Sequence, residues 1–242
     1  MVGEYNVNMN EPSKKLRKVA IFDIDGTIFR SSLLIELVEV FIELGLFPVH
    51  VRADYEKEKV KWLDRKGDYE AYIMAVVGVF MKNIKGIPYS EFMRASKVVV
   101  DRYRNRTYVF SEDLIKDLKK KGYFLLAVSK SPKGTLDLFC KDVGFDKTYG
   151  MLYETGPTEC FTGNVIDEHL IANKANIVRR ACEKEGLTLE GSVGVGDTEG
   201  DISFLEMVER PICFNPNQKL SRHAKRMGWE IVVERKDVIY KL

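Results

Sequence analysis

Apolar residues in this chain fall into two rhythms: short unbroken runs, and longer stretches with helical spacing. The first run, Lys18-Val19-Ala20-Ile21-Phe22, reads as a buried strand that drives straight into Asp23-Ile24-Asp25-Gly26-Thr27. Alternation along that strand predicts Asp23 and Asp25 on one side, and Gly26 allows a sharp turn beside a ligand. The pattern then becomes helical: Leu33-Leu34, Leu37-Val38, Phe41-Ile42 and Leu44, with a stop at Gly45. Three more helices are expected at about 50–66, 68–85 and 89–105. The run Glu56–Lys61 reads as a solvated face with i,i+4 pairs, and the apolar series Tyr72, Met74, Val76-Val77, Val79-Phe80 and Met81 as core.

From Ser111 the two rhythms alternate. A helix opens at Ser111 and stops at Gly122, Tyr123–Ser129 is a second buried strand, and Pro132 begins a helix reaching Gly144. Residues 145–167 resemble short β segments broken by Gly150, Gly156-Pro157 and Gly163. Lys174–Glu185 is a helix ended by Gly186, Ser192–Gly196 a strand and Asp201–Val208 a helix. Two late strands, Pro211–Phe214 and Glu230–Glu234, enclose a helix at 217–227. Strands alternating with helices predict an α/β fold: a Rossmann-like parallel sheet with helices on both faces and a helical insertion. The expected division is a flexible tail at 1–17, a core formed by 18–29 and 107–242, and a helical insertion at 30–106.

Composition changes this picture little. Hydrophobic content of 45% and a net charge of +2 from 38 basic and 36 acidic residues give no warrant for a nucleic-acid or membrane partner. The polar start lacks a signal-peptide core, and no run is long enough to span a membrane, so a cytoplasmic, soluble protein is expected. Cys140, Cys160, Cys182 and Cys213 are scattered, without zinc-ligand spacing, and read as reduced thiols.

The chemistry gathers at strand ends. Val128-Ser129-Lys130-Ser131-Pro132 puts a hydroxyl between a strand and a helix N-terminus, where phosphate binds readily. Lys174 begins a helix ahead of the run Val193-Gly194-Val195-Gly196-Asp197-Thr198-Glu199-Gly200-Asp201, in which another apolar strand meets two carboxylates. Hard oxygen donors at two strand ends suit Mg²⁺. Each motif alone is matched by a simple helix cap or a surface lysine; four in order are not.

D-x-D-G-T after a strand, Ser129, Lys174 and G-D-x-x-x-D together resemble the haloacid dehalogenase-like superfamily, and most of all its phosphoserine-phosphatase-like branch with a C1 helical cap. Phe214-Asn215-Pro216-Asn217-Gln218-Lys219-Leu220 followed by Gly228-Trp229 is similar to small hydrolases of that branch. The resemblance implies a Mg²⁺-dependent phosphatase acting on a small phosphorylated metabolite, with Asp23 as nucleophile and Asp25 as acid and base. It further implies that Ser129 and Lys174 hold the phosphoryl group, with Gly26, Thr27 and Lys130 at the substrate. Asp23, Asp197 and the Asp25 carbonyl would hold the metal, with Asp201 orienting Lys174 or a metal-bound water. A phosphotransferase or mutase keeps the same motifs, and a phospho-accepting signalling protein shares most of them. The chain has Arg30-Ser31-Ser32 where phosphoserine phosphatases resemble one another in a Glu, and Ser129-Lys130-Ser131-Pro132 where they continue Ser-Gly-Gly; both departures weigh against phosphoserine. Arg30, Arg94, Arg102 and Lys130 are candidates for an anionic leaving group.

Overall fold

The computed structural model describes residues 16–166 and 173–242. β1 (Arg17–Phe22) is central, and β2 (Phe124–Pro132) and β5 (Leu187–Gly196) flank it, both parallel. The eight-stranded order is β4-β3-β2-β1-β5-β6-β7-β8. Here β3 is Lys147–Thr155, β4 Phe161–Ile166, β6 Arg210–Phe214, β7 Glu230–Arg235 and β8 Val238–Lys241. Only the edge strands β4 and β8 run antiparallel. The chain leaves β1 toward β2 on one side and returns to β5 on the other. The carboxyl ends of β1 and β5 therefore form a topological switch point, where ligands of such sheets bind. Arg17 belongs to β1 and pairs with Leu187, so the expected tail is shorter by that residue; positions 1–15 lie outside the described residues.

Alternation in β1 sorts the core. Val19 and Ile21 face one cluster, with Leu126, Val128, Ile177 and Leu220; Ala20 and Phe22 face the other. That second cluster runs without interruption into the segment between β1 and β2. This segment holds α1 (Leu33–Glu43), a 3₁₀ turn, α2 (Ala53–Leu63), α3 (Tyr69–Asn83) and α4 (Tyr89–Tyr103). Phe41, Phe47, Phe80 and Phe92 pack together there and share the cluster with Phe22, Phe29 and Phe139. The inserted helices are thus anchored to one face of the sheet by a common apolar core.

Several local expectations change. In α2 the ion pairs are i,i+3, Glu56–Lys59 and Glu58–Lys61, because the i+4 positions hold Val60 and Trp62. α5 (Val109–Lys120) starts before Ser111, whose buried hydroxyl instead donates to the Thr27 carbonyl at 2.6 Å. α6 (Lys133–Val143) and α7 (Lys174–Glu185) end in left-handed Gly144 and Gly186, as read. Gly150 does not break the chain; it sits inside β3 because a Cβ there would crowd Leu136, Lys133 and Ser131. The helix expected at Asp201–Val208 is a 3₁₀ turn, Glu199–Asp201, followed by the short α8 (Ile202–Leu205). α9 (Gln218–Met227) lies between β6 and β7, and β8 is an addition the pattern did not signal. Among the described residues, no helix is long and apolar enough to cross a membrane.

Candidate active site

β1 ends at Phe22, so strand alternation is not what brings Asp23 and Asp25 to one place. Asp23 N–H still donates to the Val195 carbonyl at 2.9 Å, which prolongs the register with β5. The chain then turns through Gly26, at φ +82°, and both carboxylates face one cavity of about 150 Å³. A Cβ on residue 26 would collide with the Asp197 carboxylate, so glycine here admits the acid from the neighbouring strand end.

Lys174, the first residue of α7, reaches into the same place. Asn173 caps that helix by accepting from Ala175 N–H at 3.0 Å, which fixes where the lysine leaves the backbone. Its Nζ donates to Asp23 Oδ1 at 2.5 Å and to Asp201 Oδ1 at 2.6 Å, and all three side chains are buried. Asp201 Oδ2 accepts from the main-chain N–H groups of Asp197 at 3.0 Å and Thr198 at 3.1 Å. Asn217 donates its main-chain N–H to the Asp197 carbonyl at 2.8 Å and its side-chain amide to Glu199, so the 214–220 segment braces this loop from outside.

Asp25 is held separately. Ser129 and Ser131 hydroxyls donate to its Oδ2 at 2.6 and 2.8 Å, and Leu33 N–H donates to Oδ1 at 2.6 Å. It thereby satisfies the open N-terminus of α1, where no residue of the helix supplies a side-chain cap. Asp25 thus ties the sheet to the first inserted helix. Ser131, which also lines the cavity, was not singled out by the sequence reading; its hydroxyl two residues after Ser129 was the available signal.

Electrostatics follow from burial. Burial pushes Asp23 up to about 7, opposed by Lys174 and assisted by Asp201 and Asp25. Asp197 is raised well above the carboxylate range by burial, then by Asp23 and Asp201. Burial works against the charge on Lys174, but Asp201 and Asp23 outweigh it and hold the ammonium above the usual lysine range. One buried lysine is set among the four aspartates of the cavity, an excess of negative charge that a cation would relieve. Asp23, Asp197 and Asp201 offer carboxylate oxygens within 4.8 Å of one another. Since both Asp201 oxygens already accept hydrogen bonds, Asp23 and Asp197 are the freer donors. The Asp25 carboxylate stands apart from this group.

The other expected residues divide. Lys130 lines the cavity; Gly26, Thr27 and Ser129 do not, and the buried Thr27 hydroxyl has no hydrogen-bond partner among the described residues. Arg30 stacks on Tyr108, Arg94 pairs with Glu91 and Arg102 with Glu43, so none of the three arginines reaches the cavity. The apolar series of α3 serves two faces. Tyr72, Val76, Val79 and Phe80 are core, whereas Tyr69, Ile73, Met74 and Val77 wall the cavity. Apolar positions too broad for one helical stripe were the sign of this double duty.

Residues 20–206 match the family model of haloacid dehalogenase-like hydrolases. The chain belongs to that family. This hydrolase is 25% identical to a phosphoserine phosphatase of Methanocaldococcus jannaschii, over 93% of its own length and 96% of that protein. It is 23% identical to a histidinol-phosphatase of Neisseria meningitidis, over 90% and 99%. Among solved structures, an apo phosphoserine phosphatase superposes with a TM-score of 0.63 at 23% identity, covering 91% of this chain and 95% of that one. The hydrolase thus has the fold of a phosphoserine phosphatase, and phosphatases stand among its relatives.

Proposed function

We propose that the hydrolase cleaves a small phosphomonoester through a covalent phosphate on Asp23, with Mg²⁺ as its cofactor. The observation that carries this reading is the placement of two carboxylates with different partners in one cavity. Asp23 is aimed by Lys174, and Asp25 is held by Ser129 and Ser131. Phosphoryl transfer asks chiefly for positioning and charge neutralisation. Asp23 attacks phosphorus in line, forming an acyl phosphate as the ester P–O bond breaks. Asp25 gives a proton to the departing alcohol oxygen, then takes one from the water that hydrolyses the acyl phosphate. Lys174 offsets negative charge at Asp23, and Asp201 holds Lys174 in place.

The donor set fits a hard divalent ion: acidic oxygens in surplus over the one buried ammonium, at the ends of two adjacent strands. Asp23 and Asp197, with the Asp25 main-chain carbonyl, would hold Mg²⁺. Its chemistry there is neutralisation of phosphate charge. The inserted helices, through α3, cover the cavity and meet the leaving group.

Phosphate release from a panel of phosphomonoesters, with Mg²⁺ and with EDTA, tests the reading. Release that needs Mg²⁺, with phosphate trapped on Asp23, is expected. Trapping on Asp23 without release to water would instead make the enzyme a phosphotransferase. Absence of both would reject the assignment.

A further inference from the structure

The cavity has two unlike halves. The floor holds carboxylates, hydroxyls and the Lys174 ammonium; the rest of the lining is a largely apolar wall, Ile73, Met74 and Val77 from α3 and Leu34 from α1, with Tyr69 adding a ring and a phenol hydroxyl near Asp25 and Asp197. Met74 is 55% exposed, an unbranched apolar side chain left open beside a polar site. Away from the acidic floor, the only charged lining residues among those described are Glu70 and Lys130, both exposed at the surface. No arginine lines it.

Resting on the phosphomonoesterase reading, we propose that this wall selects esters whose alcohol carries an uncharged, apolar body: a short alkyl chain or a single ring. An amino-acid alcohol set against it would strip water from an ammonium and a carboxylate, and among the described residues the wall offers neither a buried charged partner. An apolar body gains instead, by about fourfold for each methylene buried. The cavity of about 150 Å³ must take the phosphoryl group as well, so only a small alcohol body is enclosed in it, which disfavours a nucleoside.

The test is kcat/KM along ethyl, propyl and butyl phosphate, with benzyl phosphate, phosphoserine and glycerol phosphate beside them. Acetyl phosphate serves as the donor whose leaving group barely meets the wall. The expected result is a rise of about fourfold per methylene, with benzyl phosphate at least about tenfold above phosphoserine. Met74→Lys should lower the butyl-to-acetyl ratio and flatten the series. A flat series in the unaltered enzyme, or faster turnover of phosphoserine or glycerol phosphate than of the alkyl esters, overturns apolar selection but leaves the phosphatase standing. No release from any donor, acetyl phosphate included, overturns the phosphatase reading and the selection with it.

Discussion

Lys174 Nζ lies 2.6 Å from Asp201 Oδ1, while the other oxygen of that carboxylate takes two main-chain N–H groups of the Asp197 loop. One fully buried acid therefore sets both the lysine that holds Asp23, the proposed nucleophile, and the loop that carries Asp197. Lys174→Ala strands Asp23 and Asp201 without a counter-charge. We expect about 3 kcal/mol or more of stability lost in denaturant titration, with turnover reduced at least about a hundredfold. Unchanged stability would mean the two acids have another counter-charge.

Asp23→Asn removes the proposed attacking oxygen but keeps the shape and an acceptor for Lys174. Phosphate release should vanish, while the metal-free melting temperature holds or rises, since an acid held up at about 7 by burial is replaced by a neutral amide. Retained full activity rules Asp23 out as nucleophile.

Stability and metal affinity should move oppositely with pH. The folded Asp23 lies at about 7, above its unfolded value of about 3.9, so between these the folded state binds more protons than the unfolded one. Metal-free stability therefore falls as pH climbs from about 4 to about 7. A cation requires ionised Asp23 and Asp197, so the rise in melting temperature caused by Mg²⁺ should be larger at pH 8 than at pH 5. Melting curves in EDTA and in Mg²⁺ at both values check the sign; an equal or larger Mg²⁺ effect at pH 5 contradicts it.

Gly26 and Gly45 both have positive φ, +82° and +69°, yet differ in surroundings. Among the described residues nothing lies within 4 Å of a Cβ at Gly45, whereas one at Gly26 meets the Asp197 carboxylate. Gly45→Ala should cost only the left-handed penalty, about 1–2 kcal/mol. Gly26→Ala should cost more and also weaken Mg²⁺ binding, read by calorimetric titration.

Ser131→Ala removes one of two hydroxyls from Asp25 Oδ2 and leaves Ser129 in place. A fall of about tenfold in kcat and a displaced pH-rate profile are expected if Ser131 tunes Asp25. A change in KM alone would make it a substrate contact instead.

How far the sequence reached is plain at Asp23, Asp197 and Lys174. Each sits at the junction of an apolar strand or a helix start, and local pattern alone located those junctions. Gly144 and Gly186 ended their helices as read because a left-handed cap is a local need. The i,i+4 pairs expected in α2 fail for a local reason too, since Val60 and Trp62 occupy the i+4 positions of Glu56 and Glu58.

What the sequence by itself determined was the order of strands and helices, the strand ends that carry acids, and the family those motifs resemble. These depend on periodicity and short-range backbone chemistry, which are written in adjacent residues. Tertiary structure alone decided that Asp201 is spent on Lys174 and a loop, and that Ser131 joins Ser129 on Asp25. It also decided that Arg30, Arg94 and Arg102 turn to other partners, and which face of α3 roofs the cavity. Those outcomes depend on how side chains far apart in the chain meet across the β1–β5 switch point and beneath the inserted helices. Helical spacing says that two faces are apolar; only packing says which one a neighbour covers.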